Sequence, residues 1–196
     1  MEINQILSLA SLILSIYFLL ILIIIHLLTK KLSFSDNWLS EFVNIKYGKS
    51  LKIGFILIAL TEMFLSFLLF NIFENTLIAA IFLFMSGLGA LIVGIFDFKP
   101  REKWTIGDLP HSMGVILQFS LLPIACLFYF ITIPNKLLST ISLIFGLITV
   151  ILGLYIATNT YFLKNKKYIV IFQKVNILVI NIWLIIISII SIKYFF

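Results

Sequence analysis

Six long apolar runs, divided by short polar or charged connections, take up most of the 196 residues. They fall at residues 6–28, 51–73, 77–96, 111–133, 137–163 and 168–194. Each has 20 residues or more, and at about 1.5 Å of rise per residue each can cross a hydrocarbon core roughly 30 Å thick. The pattern therefore predicts an all-α, polytopic six-helix transmembrane bundle, with residues 1–196 forming a single transmembrane domain. The first run has no basic stretch before it, is longer than the apolar part of a signal peptide, and is followed by Lys30 and Lys31. It is expected to be a retained span rather than a cleaved leader.

The polar positions inside these runs say which faces turn inward. The first run carries Ser8, Ser11 and Ser15. In the second, Glu62 falls near the middle, and Gly54, Ile58 and Ser66 share its helical stripe at spacings of four. The third is rich in small residues, Ser86, Gly87, Gly89, Ala90 and Gly94, which let membrane helices approach closely. The fourth holds Gln118 and Pro123, and the proline is expected to kink the helix or free a carbonyl. The sixth places Gln173, Asn176 and Trp183 within reach of one face.

Of the connections, residues 32–50 space Trp38, Phe42 and Tyr47 among charges, as an element lying at the headgroup level would. Residues 94–114, GIFDFKPREKWTIGDLPHSMG, gather most of the groups able to do chemistry. Pro134, Asn135 and Lys136 make a tight turn into the fifth span.

Composition agrees with lipid as the main solvent. Hydrophobic residues make up 62% of the chain and charged ones 11%, against about 45–50% and about 25% in soluble domains. A chain of this length could not hide so much apolar surface in one soluble core. The formal charge of +6 raises the question of nucleic acid. The basic residues, however, sit in gaps between apolar runs rather than on one soluble face, so membrane lipids are the expected partner and nucleic acid is not. Twelve of the Lys and Arg residues fall in the odd connections when Lys174 is counted with the last of them, and two fall elsewhere. The positive-inside rule then places both termini outside and the basic loops in the cytoplasm of a multi-pass cell-membrane protein. Three plus three spans would invert one half relative to the other, yet no convincing repeat is visible. The lone cysteine, Cys126, lies in an apolar run and reports nothing about redox compartment.

Glu62 is the clearest chemical signal. A charged acid exposed to lipid at mid-bilayer costs at least about 2.5–3.5 kcal/mol, so it must be neutral, paired with Gln118 or Asn176, or open to a cavity. His111 opens the fourth span with Asp108 three residues before it and Asp97 across the loop, an arrangement compatible with a general acid and base or with two metal ligands. The simpler reading makes Asp108 a helix cap followed by proline in the first turn, with His111 an interfacial anchor. His26 ends the first span on the same side, an arrangement in which the two imidazoles could in principle meet around haem, or share a metal with Asp97 and Glu41. Two histidines outside an HxxxH or HExxH spacing are weak grounds, and neither metal nor cofactor is expected. Ser40 and Glu41 form a serine–acid pair in the first loop, too common a dipeptide to carry a reaction alone. No GxSxG, nucleotide-binding loop or cysteine nucleophile accompanies them.

DNWLSEF with KYG after it, then SGLGALIVGIFDF, then the histidine of LPHSMGVILQFSLLPIA, resembles the bacterial and archaeal membrane proteins of the domain of unknown function 998 family. The resemblance implies six spans and marks Ser40, Glu41, Gly94, Phe96, Asp97, His111, Phe119 and Pro123 as the matching positions. Asp97 follows Phe96 directly, a departure from the family pattern that leaves another acid of the loop as the alternative equivalent. The resemblance supplies no reaction. Two functions are carried forward: lipid or small-solute handling through a polar intramembrane cavity, and an intramembrane enzyme acting on lipid headgroups at the cytoplasmic interface. The binding candidates are Ser40, Glu41, Glu62, Asp97, His111, Gln118 and Asn176.

Overall fold

A computed structural model describes residues 2–29, 37, 39, 42, 48–96, 108–159 and 166–194. The apolar runs become six helices long and apolar enough to cross a membrane. These are α1 (Ile3–Leu28), α2 (Gly48–Ile72), α3 (Leu77–Ile95), α4 (Leu109–Thr132), α5 (Lys136–Thr158) and α6 (Lys166–Ile192). Among the described residues there is no strand.

Each helix packs on the next in the chain, and α6 returns to α1, so the six close into a ring. Helix α6 also reaches α2 across that ring. Lipid offers no hydrophobic drive for such packing, so close approach and interhelical polar contacts must hold it. Both are present. A Cβ on Gly87 of α3 would stand 2.9 Å from the Ala59 carbonyl oxygen of α2. Two residues along, on the other side of α3, a Cβ on Gly89 would stand 2.7 Å from both the Gly114 oxygen and the Gln118 nitrogen of α4. Helix α3 is thus pressed between its two neighbours at positions where only glycine fits.

Helix α1 joins differently. Ser8, Ser11 and Ser15 are buried, and each hydroxyl donates back to a carbonyl of its own helix at 2.8–3.0 Å, leaving a narrow inward face. Against that face, Asn181 Nδ2 of α6 donates to the Ser15 carbonyl at 3.2 Å and ties the last helix to the first. On α2, Gly54, Ile58, Glu62 and Ser66 are all buried, as the spacing of four requires. Asn135 caps α5 by accepting from the Leu138 amide at 3.0 Å.

Helix α4 runs through Pro123, which is buried within it and, having no amide hydrogen, leaves the Phe119 carbonyl without its helical donor. Two expectations need correction. Asp108 immediately precedes α4 but its side chain makes no capping hydrogen bond; its carbonyl accepts instead from the Ser112 hydroxyl at 3.0 Å. Lys174, counted above with a connection, lies inside α6 and is only 6% exposed. Lys49, Lys52, Lys166 and Lys167 lie near the starts of α2 and α6, so without Lys174 the basic residues at or beside the odd connections still outnumber the others, by eleven to two.

Candidate functional site

The end of the bundle where α1, α3 and α5 finish and α2, α4 and α6 begin carries the basic connections and two cavities. Near mid-depth of the bundle lies a cluster of buried polar side chains. Glu62 is fully buried about 21 Å along α2, as its 14-residue distance from Gly48 implies. Gln118 Nε2 of α4 donates to Glu62 Oε1 at 3.5 Å, a long bond. Ser86 of α3 stands beside the same carboxylate, and its hydroxyl donates to the Gln118 carbonyl at 3.3 Å. Glu62, Ser86 and Gln118 thus join α2, α3 and α4 through one polar knot, with no cation against the carboxylate among the described residues.

The knot tests how Glu62 is held. A neutral acid surrounded by amide and hydroxyl can be replaced by glutamine without losing its partners. Glu62→Gln should therefore unfold in detergent within about 0.5 kcal/mol of the parent, whereas Glu62→Leu should lose about 0.6–2 kcal/mol, the range of interhelical hydrogen bonds in membranes. A large loss in Glu62→Gln would mean that a charged carboxylate is required.

His111 sits at the first turn of α4, 6% exposed, with Nδ1 3.1 Å from the Phe96 carbonyl at the end of α3. A carbonyl can only accept, so Nδ1 donates and the ring pins α4 to α3. His111, Gln118 and Gln173 share a cavity of about 20 Å³ with Leu39, Phe55 and Ile177. That volume holds about one water molecule. Gln173 Oε1 is buried and has no hydrogen-bond partner among the described residues. The same is true of both amide atoms of Asn176, which is fully buried and makes no bond to Glu62. Of the candidates Glu62, Gln118 and Asn176, only Gln118 lines this water-sized cavity.

The cavity able to take a larger ligand lies between α1 and α6. It measures about 330 Å³, within the range of about 300–1,000 Å³ common for ligand pockets. Leu19, Leu22, Ile23 and Leu27 form one wall along two turns of α1, and Val175 and Leu178 line the other on α6. The apolar surface ends at His26 and Lys174. His26 Nδ1 donates to the Leu22 carbonyl at 2.7 Å, and its ring stacks 4.8 Å from that of Phe42. Lys174 Nζ lies 4.7 Å from the centre of the same ring. Phe42, fully buried, thus fixes both basic groups at the end of the groove, the lysine through a cation–π contact. A second groove of about 320 Å³ between α2 and α3, lined by Phe67, Phe70 and Phe84 among others, has no charged group on its walls.

The two histidines line different cavities, with Leu39 and Ile177 common to both. Among the described residues no three His, Cys, Asp or Glu side chains gather to hold a metal ion. Ser40, Glu41 and Asp97 lie outside the described residues. The sequence reading missed Lys174 and its pairing with His26. A lysine eight residues into an apolar helix and an aromatic loop residue, Phe42, were the available signals.

The family profile described as a protein of unknown function, DUF998, matches residues 12–190. No curated protein and no solved structure matches the chain.

Proposed function

The chain belongs to the DUF998 family of unknown function, and within that family we propose that it is a lipid-handling membrane protein whose α1–α6 groove holds an anionic lipid. One observation carries the reading: an apolar groove of ligand size ends in a buried lysine, Lys174, beside His26. Acyl chain matches the walls, and phosphate matches the end. The groove between α2 and α3 offers the chain a place without the charge. Arg and Lys attract anionic headgroups at a membrane surface by about 1 kcal/mol each. A lysine held beneath that surface interacts in a lower dielectric and gains more.

The test is retention of lipid by the purified protein, read by mass spectrometry of the intact complex. Phosphatidic acid should be retained in preference to phosphatidylcholine with the same chains. Equal retention of the two would sink the proposal.

The same reading places the basic end in the cytoplasm, where anionic lipid is the local surface. The positive-inside count supports this orientation. Cys126 is fully buried, so a single cysteine at Lys103 should be the only reactive thiol. An impermeant thiol reagent should label it in inside-out vesicles and not in intact cells. Labelling from outside alone would reverse the topology.

A further inference from the structure

Leu39 and Ile177 each border both the lateral groove and the small polar cavity. Two apolar side chains are therefore the partition between the space suited to an acyl chain and the space lined by His111, Gln118 and Gln173. On the groove side stands Lys174, suited to phosphate. On the far side stand two amides and an imidazole, suited to a neutral donor and acceptor such as a hydroxyl. Gln173 Oε1 is a buried acceptor with no partner among the described residues, so a hydroxyl arriving there would meet an acceptor that no described side chain uses. The cavity's volume of about 20 Å³ admits one group the size of water.

We propose that the polar cavity lined by His111, Gln118 and Gln173 is a hydroxyl subsite of the lipid groove, selecting an anionic lipid whose headgroup carries an alcohol beyond its phosphate. The proposal rests on the lipid-handling reading and adds headgroup selection to it. Entry requires the buried Leu39 and Ile177 side chains to rotate aside, a change confined to two rotamers. The phosphate stays with Lys174 while the alcohol passes the partition and meets Gln173. A lipid that ends at its phosphate fills the groove equally well but leaves the subsite to water. No bond is made or broken, so the site discriminates by hydrogen bonding alone.

The experiment compares three lipids with the same chains on the full-length protein: phosphatidylglycerol, phosphatidic acid and phosphatidylcholine. Retention of phosphatidylglycerol should exceed that of phosphatidic acid by about fivefold, the equivalent of one added hydrogen bond. Gln173→Leu should abolish that difference while both anionic lipids still outcompete phosphatidylcholine. Leu39→Phe, which thickens the partition without touching a polar group, should do the same and guards against a folding defect in the first variant. Equal retention of the two anionic lipids by the parent protein overturns the subsite alone. A phosphatidylglycerol preference that survives in both variants also overturns it. Loss of any anionic preference in the parent would instead overturn the groove assignment on which it rests.

Discussion

Replacing Lys174 by methionine is expected to lower the preference for phosphatidic acid over phosphatidylcholine by about tenfold, or about 1.4 kcal/mol. The lysine is 6% exposed and held over Phe42, so its charge acts where little water screens it. Methionine keeps an unbranched apolar stem of similar shape, and the groove walls therefore remain. Lys174→Arg should retain the preference, because a guanidinium keeps both the charge and the contact with an aromatic face. If the lysine only braced Phe42, methionine would lower the unfolding temperature and leave lipid preference unchanged. Measuring both quantities on the same preparation separates these outcomes.

The largest structural effect is expected at Gly89. A methyl group there would be driven into the backbone of α4 at two points, each 2.7 Å away. Backbone cannot rotate aside as a side chain can, so the helices must part. Overpacking in a well-packed core costs about 1–3 kcal/mol, and Gly89→Ala should fall at or above the upper end. Separating α3 from α4 also strains the Ser86–Gln118 bond, which spans the same interface, and displaces Gln118 from its bond to Glu62 on α2. Gly153 is the internal control, since a Cβ there would meet nothing within 4 Å. Gly153→Ala should leave the unfolding temperature of the detergent-solubilised protein unchanged or slightly raised. Equal behaviour of the two alanine variants would contradict the packing described for α3.

Helices α1 to α6 were legible in the sequence because hydrocarbon thickness sets a minimum run length that few other structures satisfy. The Glu62–Gln118 bond was legible for a related reason. A carboxyl group at that depth needs a polar partner, and the chain offers few. Asn176, the other partner expected, makes no such bond. Matching depth along the helices does not fix which way each one is rotated about its axis.

That rotation also hid the groove. Leu19, Ile23 and Leu178 look like any lipid-facing residues in the sequence, and the space between α1 and α6 shows only once the two helices are packed together. Lys174 was assigned to a connection because a lysine usually marks the end of a span. Inside the bundle an aromatic ring and the open groove accommodate it, which the linear pattern does not record. The charged stretch at residues 94–114 first drew notice for its reactive groups. What the structure describes of it is the join made by His111 to Phe96, a helix-to-helix clasp at the edge of the polar cavity.

The central claim is that an anionic lipid occupies the α1–α6 groove in preference to the rest of the apolar perimeter. Photo-crosslinking tests it directly, with phosphatidic acid carrying a diazirine on its acyl chain, reconstituted with the protein in phosphatidylcholine vesicles. Adducts should concentrate on α1 and α6 at Leu19, Ile23, Leu27 and Leu178, and excess unlabelled phosphatidic acid should remove them. Adducts spread evenly over the outward residues of α3, α4 and α5, and unaffected by competitor, would contradict the claim.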